Sequence, residues 1–419
     1  MIIAIINPFS SANYLSESFK QIGIKTIAIY TKNQAELWDY LAPKPEWFDQ
    51  QIFLGNEDVD NIIHTLKNHN ISYVINGCEI STHITDQIAQ KLTPKTSNDP
   101  NTSSLRSDKY CMHNSLAING LAHIKQIKFI IDIDNITDPR FSTLNYPCFI
   151  KPLNASSSLG ALKINSYTAL VNYFYSMDQA KFAANLNIFL QANGKITYLI
   201  GECIEGEEYF IDTFSYQGKH YISSIQQNVK KIIAGKPIYL YWEIVTNTSI
   251  ITKLSNYIFK VLSALEFNNG FAHTEVFINH KNNEAVLIEV NSRVSGARGL
   301  CNYVAELEGL PSQIELLKKL ALDKSSYTQH YAPNKPHPSV RCLVLYNFSY
   351  NPLPDLQEAL ATYTTIKQIS YLKPIGHIHQ KLPDLLSEAV AFIVCSSAEF
   401  KTLDRETRQI LAKDHAGWK

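Results

Sequence analysis

Apolar and polar positions alternate along the first hundred residues with two periods. Residues 2–6 are an unbroken apolar run of strand length, and Tyr14–Ile22 repeats its apolar side chains at helical spacing before stopping at Gly23. Ile24–Tyr30 is the next strand, followed by Gln51–Leu54 (strand), Val59–Asn68 (helix), Ile71–Ile75 (strand) and Ile80–Leu92 (helix). Strands alternating with helices predict a parallel, doubly wound sheet. The first strand leads into Asn7-Pro-Phe-Ser-Ser11, not into a glycine-rich turn, so no dinucleotide site is expected there.

Thr93–Ser107 is polar with two prolines and reads as a linker. A helix follows from about Asp108 to Gly120. Short strands and helices continue to about residue 330, where Pro333, Pro336 and Pro338 mark a second boundary. Residues 339–419 hold strands at Val340–Tyr346, Ile366–Leu372 and Ala389–Val394 and then a polar helix. The most informative pattern lies between these boundaries. Phe271–Ile278 and Ala285–Arg293 alternate like strands around the polar turn Asn279–Glu284 and predict a hairpin. Strand alternation places Leu287, Glu289 and Asn291 on one face, and Glu275 with His273 on another. Two acids and an amide oxygen on neighbouring strands suit a hard cation such as Mg²⁺. A single acid of this kind is more often a solvent-facing residue of an edge hairpin. Acid, acid-x-Asn and arginine in succession weaken that reading.

The 419 residues exceed one core, so two to four domains are expected. Lys and Arg balance Asp and Glu at 38 each, which points to no nucleic-acid or membrane-surface partner. Seven scattered cysteines form no CxxC pair, which argues against a disulfide framework or structural zinc and for a reducing, cytoplasmic setting. The N-terminus lacks a signal-peptide pattern, and no transmembrane run is present.

Three further segments bear on nucleotide chemistry. Cys148-Phe-Ile-Lys-Pro152 is an apolar strand ending in a lysine. The small-residue loop Asn154-Ala-Ser-Ser-Ser-Leu-Gly160 that follows can approach phosphate oxygens closely; an ordinary surface turn fits about as well. Leu199–Asp212 contains Glu202-Cys-Ile-Glu-Gly206, an interrupted strand that can offer backbone groups to an adenine, though a plain acidic hairpin fits too. Lys109 opens a helix, where a cation opposes the dipole unless an anion sits nearby; a solvated lysine is the alternative.

In this order, Lys109, Lys151 with its Ser-rich loop, Glu202–Glu208, Glu275 and Glu289-x-Asn291 resemble the ATP-grasp superfamily. The resemblance is closest to the branch of bacterial L-amino acid ligases, with carnosine synthase and D-alanine–D-alanine ligase more distant. It covers nearly the whole chain. Asn7–Ser11 resembles the first turn of that branch's N-terminal domain. Ser97–Pro100 and Ser107–Tyr110 resemble its domain junction, and Leu372-Lys-Pro374 its small C-terminal domain. It implies a mixed α/β and α+β architecture. An N-terminal Rossmann-like (pre-ATP-grasp) domain would span 1–100, the ATP-grasp nucleotide-binding and catalytic region 104–332, and a small C-terminal α+β domain 339–419.

The resemblance also implies roles. Lys109 and Lys151 contact ATP phosphates, and Asn154, Ser156, Ser157, Ser158 and Gly160 close over them. Glu202 and Ile204 meet adenine through the backbone, and Glu208 binds ribose. Glu275, Glu289 and Asn291 hold Mg²⁺, with Mn²⁺ as a substitute. Arg293 stabilises the transferred phosphoryl group or tetrahedral intermediate, and His273, Arg298 and the loop Ser295–Gly299 line the carboxylate site. Gly201 stands where an acid is frequent, and Ser292 where a proline is frequent. The implied activity is amide formation between a carboxylate and an amine, expected to be amino acids, through an acyl phosphate with release of ADP and phosphate. The sequence is silent on oligomeric state, although a homodimer is the commonest assembly. The alternatives are a ligase joining an amino acid to a different partner in a specialised pathway, and a non-catalytic ATP-binding regulator. Removing Glu289 or Asn291 is expected to stop turnover while leaving stability largely unchanged.

Overall fold

The computed structural model describes residues 1–9, 12–31, 46–130, 138–153, 162–176, 197–233, 236–323, 331, 333, 335–380 and 386–418. β1 (Ile2–Ile6), β2 (Lys25–Tyr30), β3 (Gln50–Phe53) and β4 (Ile71–Asn76) form a parallel sheet in the order β3-β2-β1-β4. Successive side chains of β1 enter opposite cores: Ile3 and Ile5 meet Leu15 and Phe19 of α1 (Ala12–Gln21). Ala4 and Ile6 meet Ile62 and Leu66 of α2 (Val59–Leu66) and Ile84 and Ile88 of α3 (Thr82–Leu92). Burial on both faces is why this strand reads as a continuous apolar run.

Residues 93–107, expected to be a polar linker, are instead packed as two short 3₁₀ turns, Pro94–Thr96 and Pro100–Arg106. Their polarity is used internally. Arg106 is fully buried; its Nη2 meets Asp86 Oδ2 at 2.8 Å, and its Nη1 donates to the carbonyls of Leu265 and Glu266 at 3.1 and 3.2 Å. Arg106→Met should therefore lower unfolding free energy by about 3–5 kcal/mol, because it strands the Asp86 carboxylate and two carbonyls. Urea denaturation checks this; a loss under about 1 kcal/mol would show the pair to be dispensable.

α4 (Lys109–Ile118) starts at Asp108, whose carboxylate accepts from the amides of Tyr110 and Cys111. An antiparallel sheet follows, β5 (Gln126–Ile130), β6 (Cys148–Pro152), β7 (Leu162–Ile164) and β8 (Thr197–Glu202), ordered β5-β8-β6-β7. One face buries Phe129, Ile150, Tyr198 and Ile200 against Leu170 and Phe174 of α5 (Tyr167–Ser176). Alternation puts Phe149, Lys151 and Gly201 on the other face.

The largest sheet contains β9 (Gly206–Tyr216), β10 (Lys219–Ile233), β11 (Lys236–Ile244), β12 (Gly270–Asn279), β13 (Ala285–Asn291), β14 (Val340–Leu345), β15 (Ile366–Tyr371) and β16 (Ala391–Ser396). Its order is β13-β12-β9-β10-β11-β14-β16-β15. The strands of 339–396 thus extend the same sheet through the β11–β14 pairing. α6 (Thr248–Ala264) buries Leu254, Ile258 and Val261 against Tyr209, Ile211, Ala272 and Val276 on one face. The opposite face carries the polar residues described next. No helix among the described residues is long and apolar enough to cross a membrane.

Candidate active site

The hairpin predicted from alternation is present, with one correction. His273 pairs with Asn291 and Glu275 with Glu289, but Val276 pairs with Leu287, so Ile288 is an extra residue. This bulge turns Leu287 away from Glu289 and into the core with Val276, where it is fully buried. Keeping a leucine out of water is worth about 2 kcal/mol, which alternation alone would forfeit. α4 absorbs the disturbance: His113 Nε2 lies 3.2 Å from the Ile288 carbonyl, and the Val290 amide meets Met112 Sδ at 3.3 Å. Burial, then the Lys151 charge, push His113 down to about 3, which keeps it a neutral donor there.

Residues paired across adjacent strands share a face, so β9, β10, β12 and β13 present one polar surface. From the Gly206 end, Glu208 lies opposite Phe277, Phe210 opposite Glu275 and Asp212 opposite His273. Asp212 is fully buried, and its Oδ1 holds His273 Nδ1 at 2.7 Å. Burial disfavours a charged His273, but Asp212 outweighs it and the imidazole pKa is raised. His273 Nε2 then stands 4.0 Å from Glu275 Oε1. Glu208 accepts from Asn228 Nδ2 at 2.7 Å and is ion-paired with Lys230, both on β10.

The cations converge on the acid pair. Lys109 Nζ lies 3.0 Å from Glu289 Oε2, which supplies the anion that a lysine in the first turn of a helix calls for. Burial alone would raise the Glu289 pKa; Lys109 and Lys151 reverse this and hold its carboxyl low. Among the described residues the cation nearest Glu275 is His273, whose Nε2 stands 4.0 Å away. Burial and then the charges of Glu289 and Glu208 push its carboxyl up. Burial depresses Lys151 to about 8 despite the attraction of Glu289. A divalent cation beside Glu275 and Glu289 would relieve the charge of both acids. Asn291 Nδ2 donates to Glu289 Oε1 at 3.2 Å, leaving its amide oxygen as a ligand atom. Among the described residues no three His, Cys, Asp or Glu side chains make a complete metal shell. The donor set fits Mg²⁺, which takes few protein ligands and completes its shell with phosphate oxygens and water.

Arg293 reaches this face from just beyond β13. Its Nε donates to Glu79 Oε2 at 2.5 Å and its Nη1 to the Val294 carbonyl at 3.1 Å. Arg298 turns elsewhere, donating from Nη1 to the Tyr371 carbonyl at 3.1 Å. The reason is backbone shape: Ala297, Arg298 and Gly299 have φ of 51°, 57° and 77°, which swings the side chain toward β15. Gly299 is required, since a Cβ there would sit 2.2 Å from Tyr14 Cγ. Ser295 is buried, with its amide on Gln313 Oε1 at 3.1 Å and its hydroxyl accepting from Asn302 at 2.7 Å. Ser292, in place of a proline, is gripped by the turn after β4: its carbonyl accepts from Asn76 Nδ2 at 2.7 Å and its hydroxyl lies 2.6 Å from Thr82 Oγ1.

Glu202 ends β8, and Ile204 lies in the short connection to β9. At Gly201 a Cβ would already meet Ile124 Cγ2 at 3.0 Å and Gln126 Cβ at 3.2 Å, so an acid at this position has no room. Asn154, Ser156, Ser157, Ser158 and Gly160 lie outside the described residues. Sequence reading missed Glu79, Asp212, Asn228 and Lys230. The i, i+2 alternation of Asn228 and Lys230 within a strand was the available signal for two of them.

The model for the ATP-grasp domain matches residues 144–302. Dapdiamide A synthase of Enterobacter agglomerans is 24% identical over 403 residues, 92% of this chain and 89% of that protein. D-alanine–D-alanine ligase of Halothermothrix orenii is 26% identical over 205 residues, 46% of this chain and 54% of that protein. The crystal structure of an L-amino acid ligase from Bacillus licheniformis superposes with a TM-score of 0.76 at 19% identity, covering 98% of this chain and 97% of that one. Residues 144–302 thus form an ATP-grasp domain.

Proposed function

We propose that this protein is an ATP-dependent, ADP-forming ligase that joins the carboxylate of one amino acid to the amine of another through an acyl phosphate. One observation carries the reading: Glu275 and Glu289 are paired across β12 and β13, with Lys109 ion-paired to Glu289. The order of groups along the sheet supports it. Glu202 and Ile204 sit where an adenine would be read, and Glu208 follows for the ribose. Glu275 and Glu289 come next for the phosphates, then His273 with Asp212 for the reacting carboxylate. Glu208 to Asp212 spans roughly 13 Å at 3.3 Å per strand residue, a fitting reach from ribose to γ-phosphate.

The chain's own groups divide the work. Lys109 and Lys151 bind phosphate oxygens as point charges, and residues 154–160 would close over them. Glu275, Glu289 and Asn291 would hold Mg²⁺, which when bound neutralises charge on the outer phosphates. Asp212 fixes the His273 tautomer and favours its protonated form, so Nε2–H can donate to a developing oxyanion. Arg293 spreads charge on the transferred phosphoryl group. The carboxylate oxygen attacks the γ-phosphorus and ADP leaves; the amine then attacks the acyl carbon and phosphate leaves. Excluding water protects the acyl phosphate between the two steps. The 24% identity to a protein named dapdiamide A synthase also suits the second reading, a specialised amide ligase whose partner is not a plain amino acid. The free cysteines fit a cytoplasmic site of action.

A phosphate-release screen over pairs of amino acids tests this. Phosphate should appear only when a carboxylate and an amine donor are both present with Mg·ATP, and Mn²⁺ should support part of the rate. Phosphate release indifferent to both substrates would contradict the ligase reading, and no release with any pair would favour a non-catalytic ATP binder.

A further inference from the structure

We propose that Glu79 is a positioning residue for Arg293, so that the turn after β4 completes the phosphoryl-transfer site from the N-terminal sheet. This rests on the ligase reading above and on Arg293 acting at the transferred phosphoryl group. Glu79 opens a 3₁₀ turn, Glu79–Ser81, 214 residues away from Arg293 in sequence, and its carboxylate takes the Nε–H at 2.5 Å. A guanidinium has five donors in a rigid plane. With Nε on Glu79 and Nη1 on the Val294 carbonyl, the plane is fixed, and no hydrogen bond holds Nη2 among the described residues, which leaves that edge for a ligand oxygen.

The grip is not confined to one ion pair. Asn76 and Thr82, at either end of the same turn, hold Ser292 through its carbonyl and hydroxyl at 2.7 and 2.6 Å. The segment that carries Asn291 and Arg293 is therefore registered against the N-terminal sheet at three points.

The test uses Glu79→Ala, Glu79→Gln and Glu79→Asp in the full chain. Hydroxylamine traps an acyl phosphate as a hydroxamate, which isolates the first chemical step from amine attack. Glu79→Ala should lower kcat on the order of 10²–10³-fold, as loss of one oriented transition-state donor does. KM for ATP and the melting shift given by Mg·ATP should stay near those of the unsubstituted protein. Hydroxamate and amide formation should fall together. Glu79→Asp, which restores the charge, should recover more rate than the isosteric Glu79→Gln. Unchanged kcat in Glu79→Gln would overturn the inference. So would full hydroxamate formation with amide formation lost, because Glu79 would then serve the amine. Absence of hydroxamate from the unsubstituted protein would sink the ligase reading instead.

Discussion

Glu289→Ala should abolish turnover and, in the absence of nucleotide, also destabilise the protein. The first effect follows from its place in the proposed metal set. A metal ion supplies several kcal/mol of charge stabilisation, and at about 1.4 kcal/mol per factor of ten the loss should be on the order of 10³-fold or more. The second effect departs from what the sequence implies. Acids crowded at a metal site repel, so removing one is expected to be harmless. The structure gives Glu289 a counter-charge, Lys109 at 3.0 Å, with Lys151 close enough to lower its pKa further. Deleting Glu289 leaves two cations facing each other, at a cost of about 1–3 kcal/mol for a pair that retains some exposure. The sign with pH follows. A carboxyl whose folded pKa is depressed adds stability above its unfolded pKa, and loses it as pH falls through the folded value. The stability gap between Glu289→Ala and the unsubstituted protein should therefore close in strong acid. Activity and melting of Glu289→Ala, measured together, decide both points; near-normal activity would contradict the metal assignment.

Lys151→Met should remove most of the melting shift that saturating Mg·ATP produces, while raising the melting temperature of the nucleotide-free protein. Burial depresses the ammonium to about 8. Its unfolded pKa is about 10.4, so the unfolded chain binds the extra proton between these values and stability rises with pH across that window. Below pH 8 the cost of the charged, partly buried lysine is fully present, about 1–3 kcal/mol. Methionine escapes that cost, so the nucleotide-free variant should be more stable at neutral pH and lose its advantage above about pH 10.5. Phosphate binding uses the same charge, and its loss removes the linkage between nucleotide and folded state. A full Mg·ATP shift in Lys151→Met would mean that the lysine does not touch the nucleotide.

The local patterns were legible, and the long-range pairings were not. Alternation around residues 271–293 located the hairpin, the acid pair and Asn291. It could not show the extra residue at Ile288, because a bulge follows from which side chain the core claims, and that depends on α4 and α6. Lys109 looked misplaced in a helix first turn until Glu289, far along the chain, lay beside it. Glu79 carried no periodic signal at all. It stands just past the carboxyl end of a parallel strand, where residues of doubly wound sheets commonly face a ligand, and that general rule is the only hint the chain offers. Residues 93–107 read as linker because their polar groups are satisfied inside the molecule. The resemblance groups Arg298 with His273 at the carboxylate site, and the run of positive φ at 297–299, which turns Arg298 to the Tyr371 carbonyl, carries no signal in the sequence.

The central claim is that a carboxylate oxygen attacks the γ-phosphorus of ATP. The most direct measurement gives the protein a carboxylate substrate labelled with ¹⁸O in both oxygens, together with Mg·ATP and an amine, and follows the products by ³¹P NMR. One ¹⁸O should appear in inorganic phosphate for each amide formed, with ADP unlabelled. Label in AMP, or unlabelled phosphate accompanying amide formation, would contradict the account.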